Sequence, residues 1–257
     1  MRNPGRFAAL ISTFATILML GACAFQEPPS SNIDPKRIEE IHAKAIESHS
    51  PPTTLPLPAD PKVWVIGDSW TRGQGADPTT LGYAHLLESR LGWPTEVFGA
   101  AGTGYTVDSP NIAYDRNQMY RVRIERLPET AKRVPDPNII IVQGSTNDFI
   151  SGVGRTQLAA RDTIGLLRRM HPDAAIVLLG PITNPASPLV GAFQSLLWTA
   201  ASEHNAAFIN PHRGGQVWFG PKEWTSLMGE DGHPSTVGHS YLADRVVGEL
   251  RRLFAVD

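Results

Sequence analysis

The sequence predicts an α/β domain built on a parallel sheet with helices over both faces. Three observations predict it. Val63–Gly67 and residues 138–143 and 175–180 are short apolar runs without polar alternation, as expected of strands buried on both faces. Segments with helical periodicity separate these runs. Each run ends in a polar loop, most of them carrying glycine, which is where α/β proteins place their sites.

The elements follow in order. Val63–Gly67 is the first strand. Residues 81–91 read as a helix, with Leu81, Ala84, Leu87 and Leu91 on one face. Residues 95–98 form a short strand, and 117–133 a mostly amphipathic helix interrupted near Pro128. The strand at 138–143 (NIIIVQ) precedes a helix at 155–170, capped by Thr156 or a neighbour. A strand at 175–180, a helix at 189–204, a strand at 206–210 and a final helix at 236–254 complete the pattern. There is no internal repeat, and the segment from residue 61 onward is one domain of about 200 residues.

Upstream lies different material. Arg2 and Arg6 precede an apolar run from residue 7 to residue 20, followed by Leu20-Gly21-Ala22-Cys23. A basic start, a short apolar stretch and small residues before a cut describe a secretory signal. The run falls short of the roughly 20 apolar residues of a membrane span. The end of this stretch resembles the bacterial lipobox, which implies that Cys23 is lipidated and becomes the first residue of the mature protein. The other reading is an ordinary signal peptide that contains a cysteine; the position of the sole cysteine favours the first. Residues 26–61 hold eight prolines and read as an extended tether, with a short solvated or docked helix over 35–48. The expected organisation is a signal at 1–22, a Pro-rich tether at 23–60 and a domain at 61–257. It implies export and lipid anchoring on the outer face of the cell membrane.

Composition narrows the function. The 257 residues are 41% hydrophobic and 19% charged, with a formal net charge of −2. That balance argues against a nucleic-acid binder, which shows a basic excess. One cysteine excludes internal disulfides, and no Cys/His cluster has zinc spacing.

The chemistry lies in the loops. Asp68-Ser69 follows the first strand, Gly99–Tyr105 (GAAGTGY) the second and Gly144–Asp148 (GSTND) the third, and Glu230–Ser235 (EDGHPS) precedes the last helix. In a doubly wound sheet these loops converge on one edge. Serine, histidine, a carboxylate, backbone N–H groups and an asparagine amide are the components of acyl transfer. The serine hydroxyl is a poor nucleophile until a base takes its proton.

Gly67-Asp68-Ser69, Gly102, Asn147 in Gly-x-x-Asn-Asp, and His233-Pro234 resemble, in order, the four blocks of the SGNH (GDSL-like) hydrolases. The resemblance covers roughly residues 61–257. It implies a three-layer α/β/α sandwich with a parallel sheet of about five strands, and a serine hydrolase acting on carboxylic esters without metal or organic cofactor. Ser69 matches the nucleophile and His233 the base. Ser69, Gly102 and Asn147 match the oxyanion donors, with Gly104 a weaker candidate two residues on. The family's acid stands three residues before the histidine, where this chain has Glu230; Asp231 stands two residues before it. Either Glu230 or Asp231 serves as the acid, the local Asp-Gly-His-Pro chemistry favouring Asp231, or neither pairs and a backbone carbonyl orients His233. Trp70 replaces the usual small apolar residue after the serine and is expected in a pocket wall.

His239, in the last helix, reads as helix-lining or capping, and His212 as a loop histidine. Asp68 and Asp148 are expected to hold their own turns through backbone N–H groups. Tyr105, Tyr114, Asp115, Arg116 and Tyr120 on one side, and Trp218, Phe219 and Trp224 on the other, either line a cleft or cover the sheet edge. The resulting expectation is an exported esterase acting on acetyl or short-chain O-acyl groups of cell-envelope carbohydrates or on small extracellular esters. Its partners are a small ester or acylated glycan and, through Cys23, a membrane; a monomer and no nucleic acid are expected. An acyltransferase to a glycan hydroxyl uses the same site. A non-catalytic glycan-binding lipoprotein is the reading from another class, favoured only by the displaced acid.

Overall fold

The computed structural model describes residues 50–108, 118–184, 186–213 and 217–256. The chain divides into two units, Met1–Lys44 and Ala45–Asp257, and the described residues lie in the second. The signal, Cys23, the helix expected over 35–48, and Tyr114, Asp115 and Arg116 lie outside them.

Five strands form one parallel sheet: β1 (Val63–Gly67), β2 (Thr95–Gly99), β3 (Ile139–Gln143), β4 (Ala175–Leu179) and β5 (Ala207–Ile209), in the spatial order β2-β1-β3-β4-β5. Among the described residues, seven helices accompany them: α1 (Ser69–Arg72), α2 (Tyr83–Leu91), α3 (Tyr120–Thr130), α4 (Val153–Met170), α5 (Val190–Glu203), α6 (Pro221–Leu227) and α7 (Thr236–Phe254). The expected three-layer architecture is observed. Alternate strand residues separate into two cores. Val63, Val65, Ile139, Ile141, Val177 and Leu179 pack with α2 and α7, together with Trp70, Trp218 and Phe219. Trp64, Ile66, Ile140, Val142, Ile176 and Leu178 pack with α3, α4 and α5. With both sheet faces covered, β1 and β3 have no exposed residue, which is why these strands read as continuous apolar runs.

The strand order reverses direction between β1 and β3, so the loops leaving these two strands diverge to opposite faces and open a crevice at their carboxyl ends. The serine follows β1 and the asparagine follows β3.

Some element limits differ from expectation. A 3-10 turn occupies Thr79–Leu81, so α2 begins only at Tyr83. Pro128 lies within the last turn of α3, and the helix runs through it to Thr130. Thr156 does not cap α4. The cap position is Gly152, and buried Thr156 sits inside the helix with its hydroxyl on the Gly152 carbonyl at 3.0 Å. α1 and α6 were not expected. The Pro-rich segment, from residue 50, is extended and lies against the domain: the Leu55 N–H donates to the Leu253 carbonyl at 2.7 Å, and the Leu55 side chain packs on the core.

Candidate active site

The serine turn is built from below. Asp68 occupies the N-cap of α1, and its Oδ1 accepts the Trp70 N–H at 2.9 Å. Its Oδ2 accepts from Gln143 Nε2 at 3.3 Å. Gln143 Oε1 in turn accepts from Thr71 Oγ1 at 2.8 Å, and Thr71 Oγ1 lies 2.9 Å from the Tyr83 hydroxyl. This buried chain joins the ends of β1 and β3 to α2. Burial pushes the Asp68 carboxyl up to about 6, although the Trp70 N–H, Gln143 and His233 favour the anion. Ser69 is the first residue of α1, so its backbone N–H has no partner within the helix. The residue stands at the carboxyl edge of the sheet and is only 6% exposed.

His233 reaches that serine from the loop between α6 and α7. An antiparallel bridge pairs Met228 with Pro234, and the Gly229 N–H donates to the His233 carbonyl at 2.7 Å. Ser235 caps α7, its hydroxyl accepting the Gly238 N–H. The loop at 73–77 presses on this segment: Asp77 N–H donates to Thr236 Oγ1 at 3.0 Å, and a Cβ at Gly75 would stand 2.3 Å from the Pro234 carbonyl oxygen. His233 Nε2 lies 2.8 Å from Ser69 Oγ.

On the other side of the ring, Nδ1 lies 3.1 Å from Asp231 Oδ2. Asp231 Oδ1 accepts the His233 backbone N–H, also at 3.1 Å. Gln74 Nε2 approaches the same carboxylate at 3.5 Å. Slight burial of Asp231 works against its charge, but the His233 N–H, the His233 ring and Gln74 outweigh it and hold the carboxyl below its ordinary range. Among the described residues, Asp231 and not Glu230 is the carboxylate at the ring. The line Asp231–His233–Ser69 can relay the serine proton to imidazole and stabilise the imidazolium that forms.

The other candidate donors sit on two loops joined by Asn147. Asn147 lies in a 3-10 turn (Thr146–Ser151) after β3, and its Nδ2 donates to the Thr103 carbonyl at 2.9 Å. An amide NH2 has two hydrogens, so one remains for a substrate. Gly102, at φ +70, precedes Thr103. Gly104 has another use: its N–H donates to the Val107 carbonyl at 2.9 Å, and a Cβ there would meet the Asp148 carboxylate at 2.5 Å. The Gly104 N–H is therefore committed within its own loop.

Asp148 does not hold its own loop as expected. It accepts from Tyr105 N–H at 3.1 Å, Thr106 N–H at 2.8 Å and Thr106 Oγ1 at 2.7 Å. The block after β3 thereby grips the block after β2. Burial raises the Asp148 pKa, and the Thr106 and Tyr105 donors oppose the rise.

Several expected side chains take other places. Trp70 is not a pocket wall but a core residue, edge-on to Phe219 with ring centres 5.7 Å apart. Tyr105, Tyr120, Trp218 and Phe219 are buried, and Trp224 packs against the core, so these aromatic side chains are core residues and not an open cleft lining. His239 is fully buried. Its Nδ1 accepts the Tyr83 N–H at 3.2 Å and its Nε2 donates to the Gln74 carbonyl at 2.8 Å. Burial lowers its pKa, consistent with a neutral ring in that tautomer. His212 is half-buried beside the Pro181 carbonyl rather than free on the surface, and burial lowers its pKa too. Sequence reasoning missed Gln74, Gln143 and Arg123. The first two are polar residues adjoining recognised blocks, which is their only sequence signal. Among the described residues, no group of three His, Cys, Asp or Glu side chains is placed to hold a metal ion.

Comparisons with known proteins bear on the family and the fold. Residues 65–241 match the GDSL-like Lipase/Acylhydrolase family. A GDSL lipase of Mycobacterium tuberculosis, Rv0518, is 29% identical over 211 residues, spanning 76% of this chain and 83% of that protein. The cellulase/esterase CelE of Acetivibrio thermocellus is 23% identical, but the match spans only 26% of its length. Among solved structures, a family two carbohydrate esterase from Clostridium thermocellum superposes with a TM-score of 0.59 at 21% identity, covering 77% of this chain and 66% of that one. The esterase EstA from Pseudoalteromonas sp. superposes with a TM-score of 0.58 at 16% identity, covering 75% of this chain and 98% of that one. The two superpositions establish a shared fold. With the family match spanning most of the chain, the protein belongs to the GDSL-like lipase/acylhydrolase family and is a hydrolase acting on carboxylic esters.

Proposed function

We propose that this protein is an exported, lipid-anchored serine esterase that removes acetyl or short acyl groups from hydroxyls of cell-envelope carbohydrates or from small extracellular esters. The observation that carries the mechanism is the unbroken line from Asp231 through His233 to Ser69, with contacts of 3.1 and 2.8 Å. Ser69 Oγ attacks the ester carbonyl carbon while His233 Nε2 takes its proton. The carbonyl oxygen becomes an oxyanion facing the Ser69 and Gly102 N–H groups and Asn147 Nδ2. Collapse breaks the bond to the alcohol oxygen, which leaves with the proton from His233. Water then attacks acyl-Ser69 with His233 again as base, releasing the carboxylic acid and restoring the serine.

Carbohydrate as the acyl carrier is supported by a curated relative named as a cellulase/esterase and by solved carbohydrate esterases of the same fold. The non-catalytic reading rested on the displaced acid, and that acid is within hydrogen-bond reach of the ring. The test is turnover of p-nitrophenyl acetate and of acetylated xylo-oligosaccharides by the wild type and by Ser69→Ala. Equal rates, or no labelling of Ser69 by a serine-reactive phosphonate, overturn the serine mechanism. Turnover of the aryl ester with none of the acetylated oligosaccharides overturns the carbohydrate assignment. Transfer of acyl groups to an added glycan in place of release to water identifies an acyltransferase. Anchoring is tested by Cys23→Ser, which should move the protein from the membrane fraction to the soluble one; unchanged fractionation overturns it.

A further inference from the structure

Arg123 is a partly buried cation at the carboxyl edge of the sheet. It projects from α3 and uses its whole fork. Nε donates to the Gln118 carbonyl at 3.0 Å, Nη1 to the Phe98 carbonyl at 2.9 Å, and Nη2 to the Gly67 carbonyl at 2.8 Å. Nη2 also approaches Thr103 Oγ1 at 3.5 Å. The guanidinium lies over the Tyr120 ring, 5.2 Å from its centre.

These acceptors are not scattered. Gly67 is the last residue of β1, two before Ser69. Phe98 lies at the end of β2, where the glycine loop begins. Thr103 stands next to Gly102, and its carbonyl holds Asn147. One planar group thus touches the lead-in to the nucleophile, the root of the oxyanion loop and the residue that joins that loop to Asn147. The Gly67 carbonyl also accepts the Ala100 N–H at 3.1 Å, and the guanidinium adds donors to several carbonyls at fixed mutual angles, which an ammonium cannot do. Burial disfavours the charge, and Tyr120 and Asp68 oppose that effect.

We propose that Arg123 is a positioning residue that locks the serine turn and the Gly102–Thr103 oxyanion loop into one geometry. It touches no reacting atom and acts through Gly67, Phe98 and Thr103. Its kinetic consequence rests on the esterase reading above, whereas its effect on the loop does not.

The experiment compares wild type, Arg123→Met and Arg123→Lys by two readouts. The first is amide hydrogen exchange over residues 100–104, with α7 as an internal reference. The second is kcat and KM on p-nitrophenyl acetate. In both variants exchange at 100–104 should quicken by about 10-fold or more while α7 keeps its protection. In Arg123→Met, kcat should fall by about 100-fold with KM within about 3-fold, the loss expected when oxyanion donors move out of place. Arg123→Lys should lie between, since it restores charge without the fork. Unchanged exchange and kcat in a folded variant overturn the assignment. So does equal quickening in α7, or failure of both variants to fold, either of which makes Arg123 a residue of general stability. If the wild type turns over no ester, the esterase reading fails while the exchange data still decide the role of Arg123.

Discussion

Asp231 and His233 are two residues apart, and one carboxylate holds both the backbone and the ring of the histidine: Oδ1 on its N–H and Oδ2 on Nδ1, each at 3.1 Å. An Asx-type turn does locally what a three-residue spacing does elsewhere. Gly232, between them at φ +76, gives the turn its shape. The carboxylate is half exposed, with 50% of its side-chain surface open against 18% for His233, so water competes for it and geometry matters more than charge.

Replacing this acid should therefore cost activity without destroying the fold. Asp231→Ala should lower kcat by about 100-fold, and Asp231→Asn, which presents the ring with an NH2 group, by up to about 10⁴-fold. Glu230→Gln should stay within about twofold, because the neighbouring carboxylate is not at the ring. Steady-state kinetics on p-nitrophenyl acetate check this. A large loss at Glu230 with little at Asp231 would reverse the assignment.

Gly75 tests the cradle beneath the histidine. Its φ is +93, and a Cβ would stand 2.3 Å from the Pro234 carbonyl oxygen and 3.1 Å from His233 Cβ. Gly75→Ala must strain its own backbone or push the His233-Pro234 segment away. A stability cost of about 1–3 kcal/mol is expected, with kcat falling at least about 10-fold because a shift near 1 Å breaks the serine–histidine contact. Urea unfolding and kcat measured together decide it; an unchanged kcat would show that the cradle does not position His233.

How much of this was legible depends on where each residue's partners lie. β1, β3 and β4 were readable because burial on both faces leaves only apolar side chains. α7 was readable from Ser235 and its long apolar stripe. α6 was invisible because none of its seven residues is buried, so no periodic signal marks it. The aromatic residues near the site could not be sorted from sequence, since a tyrosine or tryptophan suits a core and a cleft equally. Packing placed them, with Tyr105 and Tyr120 facing each other at 4.9 Å in the interior. The four blocks pointed to Ser69, Gly102, Asn147 and His233 through a family resemblance, and the fold brings two of them, Ser69 and His233, to 2.8 Å. Arg123 was hidden because its acceptors lie 5 to 56 residues away, and because an arginine in an amphipathic helix ordinarily faces water.

Asn147 separates the two uses of one amide. One hydrogen is fixed on the Thr103 carbonyl at 2.9 Å, which aims the other. Asn147→Ala should lower kcat by about 10²–10³-fold with little change in KM, as for loss of an oxyanion donor. The loop itself should stay in place, because Asp148 grips Tyr105 and Thr106 independently. A rise in KM alone would assign Asn147 to ground-state binding instead.

Asp68 links the serine turn to pH. Burial lifts its carboxyl from an ordinary 3.8 to about 6, so between these values the folded protein holds a proton that the unfolded chain has released. Stability from this group is therefore fully present below about pH 4 and is lost as pH rises through about 6, by at most about 3 kcal/mol. Asp68→Asn removes the titrating group and keeps an oxygen for the Trp70 N–H. The difference in unfolding free energy between wild type and variant, measured in urea from pH 4 to 7.5, should change with pH in the wild type's disfavour. A difference that is flat across that range would mean that Asp68 is ionised in the folded protein at all these pH values, and that the Trp70 and Gln143 donors outweigh its burial.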